Sequence, residues 1–98
     1  MKVTHQLEAI DFEWDSDKAD TNLQKHGVSF TEACEAFLDP FVYAVEVREV
    51  DEEAREAVIG LTRKWRLLYV AYVWRKLVLR IISARKATKT ERKLYETQ

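Results

Sequence analysis

Ninety-eight residues, 47% hydrophobic and 34% charged, suit one globular domain, and a lone cysteine rules out an internal disulfide framework. The net charge of −1 hides a division: residues 1–56 hold 5 Lys and Arg against 15 Asp and Glu, whereas residues 57–98 hold 11 against 2. The longest apolar run, residues 67–74, is too short to cross a bilayer, and the first residues lack the apolar stretch of a signal peptide, so a cytoplasmic chain is expected.

Residues 1–9 show no clear period and read as a loose or weakly helical lead-in. Residues 10–14, IDFEW, alternate as a short strand does. Residues 15–27 open with acids and close on Gly27, which predicts a helix. Ala19, Leu23 and His26 share one of its faces, and Lys18, Asn22 and Lys25 form a neighbouring polar face. Ser29 and Glu32 make a capping box ahead of Phe30, Ala33, Cys34, Phe37 and Leu38, an amphipathic helix stopped by Asp39-Pro40.

Four strands follow by pattern, at 41–50, 57–63, 66–74 and 77–85, with 51–55 as a connection and tight turns at Lys64-Trp65 and Arg75-Lys76. Thr88 and Glu91 cap a last helix over 87–98. The order β-α-α-β-β-β-β-α predicts an α+β domain, with helices on one face of an antiparallel meander. Alternation along 77–85 sends Leu77, Leu79 and Ile81 one way and Val78, Arg80 and Ile82 the other. Strict alternation then puts Ser83 and Arg85 in the apolar row.

His5, His26 and Cys34 are not spaced as metal ligands, and no glycine-rich phosphate loop exists. Cys34 belongs to an apolar stripe and reads as a core residue. Arg63, Arg66, Tyr69, Tyr72, Trp74, Arg75, Arg80 and Arg85 mix cations with rings. That is the composition of an RNA-binding surface and equally of a solvated sheet face. His26 has two readings of its own, a general acid or base at a helix end or a hydrogen-bonded histidine at the core's edge.

The segments FEWD, NLQKHGVSF, FLDP, AREAVIG and RIISARKATKTERKLY, in that order from Asp11 to Tyr95, resemble the BrnT family. That family comprises ribonuclease toxins of bacterial type II toxin–antitoxin pairs. The resemblance implies a compact RelE-like α+β domain over 11–98. Two N-terminal helices would pack on an antiparallel sheet of four to five strands, with a helix at the C-terminus. Residues 1–10 precede the usual start and read as an N-terminal extension. The Lys64-Trp65 turn and the Trp74-Arg75-Lys76-Leu77 hairpin also depart from the family pattern.

The resemblance further implies metal-independent RNA cleavage that inhibits translation, with no cofactor. It implies a BrnA-like ribbon-helix-helix antitoxin that neutralises the toxin and alone contacts operator DNA. Matched by motif, His26, Arg80, Arg85 and Arg55 are the expected catalytic residues, and Lys25, Arg75, Ser83 and Lys86 the expected RNA contacts. Arginine forks suit a phosphorane, and an imidazole suits proton transfer near neutrality. The competing expectation is an inert toxin-like module that binds the antitoxin and co-represses its operon.

Overall fold

The computed structural model describes residues 1–51 and 53–98, without the side chains of residues 46–48 and 50. Strands β1 (Lys2–Leu7) and β2 (Ile10–Asp15) form a hairpin, followed by helices α1 (Ser16–His26) and α2 (Phe30–Glu35). A 3-10 turn (Ala36–Leu38) extends α2. Strands β3 (Tyr43–Val50), β4 (Glu53–Leu61), β5 (Leu67–Arg75) and β6 (Val78–Lys86) then lead to helix α3 (Lys89–Glu96).

The described strands form one six-stranded sheet in the order β1-β2-β6-β5-β4-β3. The meander β3 to β6 is antiparallel as expected, but β6 returns beside β2 in parallel, at Phe12–Leu79 and Glu13–Arg80. The sheet is therefore mixed and longer than the expected four to five antiparallel strands. The added strand is β1, in a segment expected to be loose or weakly helical. Its full register with β2, from Lys2–Asp15 to Leu7–Ile10, supplies the backbone pairing, and its exposure alternates along the strand, although only Val3 and Leu7 are apolar in the inward row. Of the expected connection at 51–55, residues 53–55 are strand, since β4 begins at Glu53, and residue 52 lies outside the described residues.

Local chemistry sets the helix ends. The Asp15 carboxylate accepts from the Lys18 N–H at 3.1 Å, and Gly27 closes α1 at φ 69°, with its own N–H on Leu23 O. Ser29 Oγ accepts the Glu32 N–H at 3.1 Å, but the expected reciprocal bond is missing. The buried Glu32 carboxylate instead takes Thr62 Oγ1 and Arg66 Nε, each at 2.9 Å, which bolts α2 to the β4–β5 turn. At α3 the box is complete, with Thr88 and Glu91 bonding reciprocally.

The core lies between the two N-terminal helices and one sheet face. Phe12, Trp14, Phe30, Ala33, Cys34, Val58, Leu68, Val70, Leu79, Ile81 and Ala84 are all buried there. Cys34 is fully buried, donates to Phe30 O, and burial pushes its thiol up to about 12. It is a packing residue.

Gly60 lets the 3-10 turn lie close on the sheet, because a Cβ there would overlap the Ala36 carbonyl oxygen. That neighbour is backbone and cannot rotate away. Gly60→Ala is therefore expected to lower stability by about 1–3 kcal/mol, the usual range for overpacking, read as a shifted urea midpoint at unchanged slope.

Candidate active site

The side chains that sequence reasoning assigned to RNA chemistry are gathered by an irregularity in β6. Tyr72 pairs with Ile81 and Ala71 with Ser83, so Ile82 is an extra residue, a β-bulge. Strict alternation would have put Ser83 and Arg85 with Leu79 and Ile81. The bulge resets the count: Ala84 enters the core fully buried, and Ser83 and Arg85 join Arg80 on the opposite face. The expectation that Ser83 and Arg85 continue the apolar row is thus corrected.

On β5 the same face carries Tyr69, opposite Arg85, and Val73, opposite Arg80; alternation adds Arg75. On β4 it carries Ala57 and Ile59, and alternation puts Arg55 two residues before Ala57 on the same side. Arg55, Arg75, Arg80, Ser83 and Arg85 therefore share one sheet face. Tyr72 and Trp74 are on the helix side, and Arg66 is committed to Glu32, so three members of the expected cation–ring surface drop out.

Most of these arginines hold carboxylates that sequence reasoning did not pair with them. Arg80 Nη1 donates to Glu13 Oε2 at 2.8 Å, and Lys2 Nζ reaches the other oxygen of Glu13 at 3.3 Å. Burial works to raise the Glu13 carboxyl, but the bonds from Arg80 and Lys2 outweigh it and keep it below its usual value. Arg75 pairs with Glu53 at 3.0 Å. Arg85 donates through both terminal nitrogens to Glu91, at 2.8 and 2.9 Å, and lies 4.4 Å over the Tyr69 ring. Arg55 is exposed and has no carboxylate partner among the described residues.

Lys25 and His26 stand in the last turn of α1, both exposed, so the reading of His26 as a core-edge histidine fails. They line a groove of about 340 Å³ between α1 and β6, whose walls include Lys18 and Thr21 on one side and Ile82 and Ser83 on the other. Ser83 belongs to both features, the groove and the arginine face. Lys86 is exposed at the end of β6.

The residue that sequence reasoning misplaced is Asn22. Expected on a polar face, it is buried, and its Nδ2 donates to Val28 O at 3.0 Å and to Ala84 O at 2.8 Å, while Oδ1 accepts from the Ala84 N–H at 3.1 Å. Its helix-averse side chain in mid-helix was the available signal.

Two stability measurements probe this frame. Asn22→Ala leaves the Ala84 peptide groups without their partner and is expected to cost about 1–3 kcal/mol in chemical denaturation. Glu91 is held below the usual glutamate range by the hydrogen bonds from Arg85, against the opposing effect of burial. A depressed carboxyl stabilises the fold above its unfolded value, about 4.3, and loses that contribution as pH falls through its folded value. Glu91→Gln should therefore lower the melting temperature at pH 7, and the gap to the wild type should narrow as the pH drops below about 4.3.

With this geometry, comparison with known proteins becomes specific. A family model described as the ribonuclease toxin BrnT of type II toxin–antitoxin systems matches residues 14–91. The crystal structure of the Brucella abortus ribonuclease toxin BrnT is similar, at 29% identity and a TM-score of 0.59, over 78% of this chain and 94% of that one. No curated protein sequence matches. The matched segment runs from Trp14 to Glu91 and takes in the groove, the bulge and every arginine of the face, and the chain belongs to the BrnT family of ribonuclease toxins from type II toxin–antitoxin systems.

Proposed function

We propose that this chain is a metal-independent endoribonuclease that cuts RNA by transesterification and thereby inhibits translation. The observation that carries the reading is the meeting at Ser83 of two chemistries. A groove bearing Lys25 and His26 opens on one side of it, and Arg80 and Arg85 flank it along the strand.

In this mechanism the 2′-oxygen attacks the adjacent phosphorus and the bond to the 5′-oxygen breaks, leaving a 2′,3′-cyclic phosphate and a 5′-hydroxyl. His26 takes the 2′-hydroxyl proton as the new bond forms, and the departing oxygen collects a proton from solvent. Arg80, with Arg55 and Arg75 on the same face, stabilises the extra negative charge of the phosphorane. Lys25, Ser83 and Lys86 contact the strand. Arg85, its fork engaged by Glu91, contributes from the end of the row.

A type II system supplies a protein antitoxin. We take it to be a BrnA-like ribbon-helix-helix protein that neutralises the toxin by covering the arginine face, and through which alone the complex reaches operator DNA. The inert-module alternative keeps that partner and loses the reaction.

The deciding assay incubates antitoxin-free protein with end-labelled RNA in excess EDTA and identifies the product ends. Cyclic or 3′-phosphate ends are expected. Arg80→Ala should slow cleavage by about 10²–10³-fold and His26→Ala by about 10²–10⁴-fold, with the fold retained. Intact RNA with folded protein would overturn the free-ribonuclease reading in favour of the module.

A further inference from the structure

No side chain of helix α3 is fully buried, and Glu91 and Tyr95 are partly so, yet the helix is docked. Two polar ties hold it. Arg85 bonds Glu91 through both terminal nitrogens, and Tyr95 Oη donates to Asp39 Oδ2 at 2.6 Å. Burial and the Asp39 carboxylate together push the Tyr95 phenol up to about 12, so it stays a donor to Asp39. These contacts engage Glu91 and Asp39 on the inner side of the helix. On the outside remain Lys89 and Lys93, with Lys86 just ahead on β6. All three are exposed, and none has a carboxylate partner among the described residues.

The two helix lysines are not placed for the helix alone: Lys93 stands in the last turn, where a cation suits the peptide dipoles, but Lys89 does not. Lys89 is its first residue, where the positive end of the peptide dipoles disfavours a cation. Lys89 and Lys93 are also spaced i, i+4, so they repel each other along one face. A pattern that costs local stability without a structural return is expected at a functional surface.

We propose that Lys89 and Lys93, continuing from Lys86, form a phosphate-tracking surface for the single-stranded RNA flank that leaves the groove, an inference that rests on the ribonuclease reading above. From Ser83 to Lys86 is three residues of extended chain, about 10 Å, so a strand crossing the face at Ser83 meets α3 along the direction of β6. Compact, mobile ammonium groups suit contacts that follow the backbone and ignore the bases. The Arg85–Glu91 tie fixes the angle at which the helix offers them.

The test measures binding separately from cleavage. A fluorescein-labelled 2′-O-methyl oligonucleotide, which lacks the nucleophile, is titrated by anisotropy at several salt concentrations. The Lys89→Gln/Lys93→Gln double variant should flatten the dependence of log affinity on log salt by about 1.4, from two contacts at roughly 0.7 each on a single strand. A Lys64→Gln/Lys76→Gln control, equal in charge and placed at exposed turns, should change it much less. An unchanged slope, or an equal change in the control, overturns the inference and leaves the patch to an acidic protein segment. The same proteins are then run on cleavable RNA. A flattened slope with no cleavage by the wild type keeps the RNA track and defeats the catalytic reading, whereas cleavage with an unchanged slope does the reverse.

Discussion

Strand β2 pairs with β6 only at Phe12–Leu79 and Glu13–Arg80, so beyond that point the same edge of β6 faces α1 rather than another strand. Peptide groups left bare there would be buried without partners, which a fold of this size tolerates poorly. The side-chain amide of Asn22 closes the gap by imitating a strand: it donates to Ala84 O, accepts from the Ala84 N–H, and uses its second proton on Val28 O. Because this contact sets where α1 stands on the sheet, it also sets the groove wall that carries Lys25 and His26. The catalytic proposal and the edge repair thus share one helix.

The arginine face is built from pairs. Arg80 with Glu13, Arg75 with Glu53 and Arg85 with Glu91 each place a carboxylate beside a cation that would otherwise repel its neighbours across the strands. The pairs differ in depth. Arg75 and Glu53 are well exposed, so their attraction adds little stability, whereas Glu13 and Glu91 are more than four-fifths buried and orient their partners firmly. A guanidinium held in one direction before substrate arrives needs less reorganisation when charge develops near it. Arg55, without such a partner among the described residues, is the most adjustable of the group.

Much of this was legible from the residues. Helix caps at Ser29 and Thr88, the stop at Asp39-Pro40 and four alternating strands all announce themselves locally. What was not legible depends on partners distant in sequence. Strand β1 alternates in the structure, with Val3, His5 and Leu7 turned inward, but a histidine in the inward row and only two apolar residues leave the pattern too weak to read without its pairing to β2. The parallel contact between β2 and β6 joins residues 67 positions apart, and no local signal encodes it. The Arg66–Glu32 pair removed one expected RNA-facing cation for the same reason. The core-edge reading of His26 rested on the face it shares with Ala19 and Leu23, and Leu23, though apolar, is half exposed.

The bulge at Ile82 shows how a failure of alternation can itself be read. If β6 were regular beyond Ile81, Ser83 and Arg85 would point into the helix-covered core and Ala84 would be cast onto the open face. Burying a guanidinium there, away from Glu91, costs far more than one unpaired residue in a ladder. The consecutive pair Ile81-Ile82 followed by Ser-Ala-Arg fits a strand that gains one residue, and fits a regular strand badly. The extra residue is not wasted: Ile82 turns to the edge and lines the groove beside α1. One insertion in register therefore accounts for the burial of Ala84, the alignment of Arg80, Ser83 and Arg85, and the wall opposite His26.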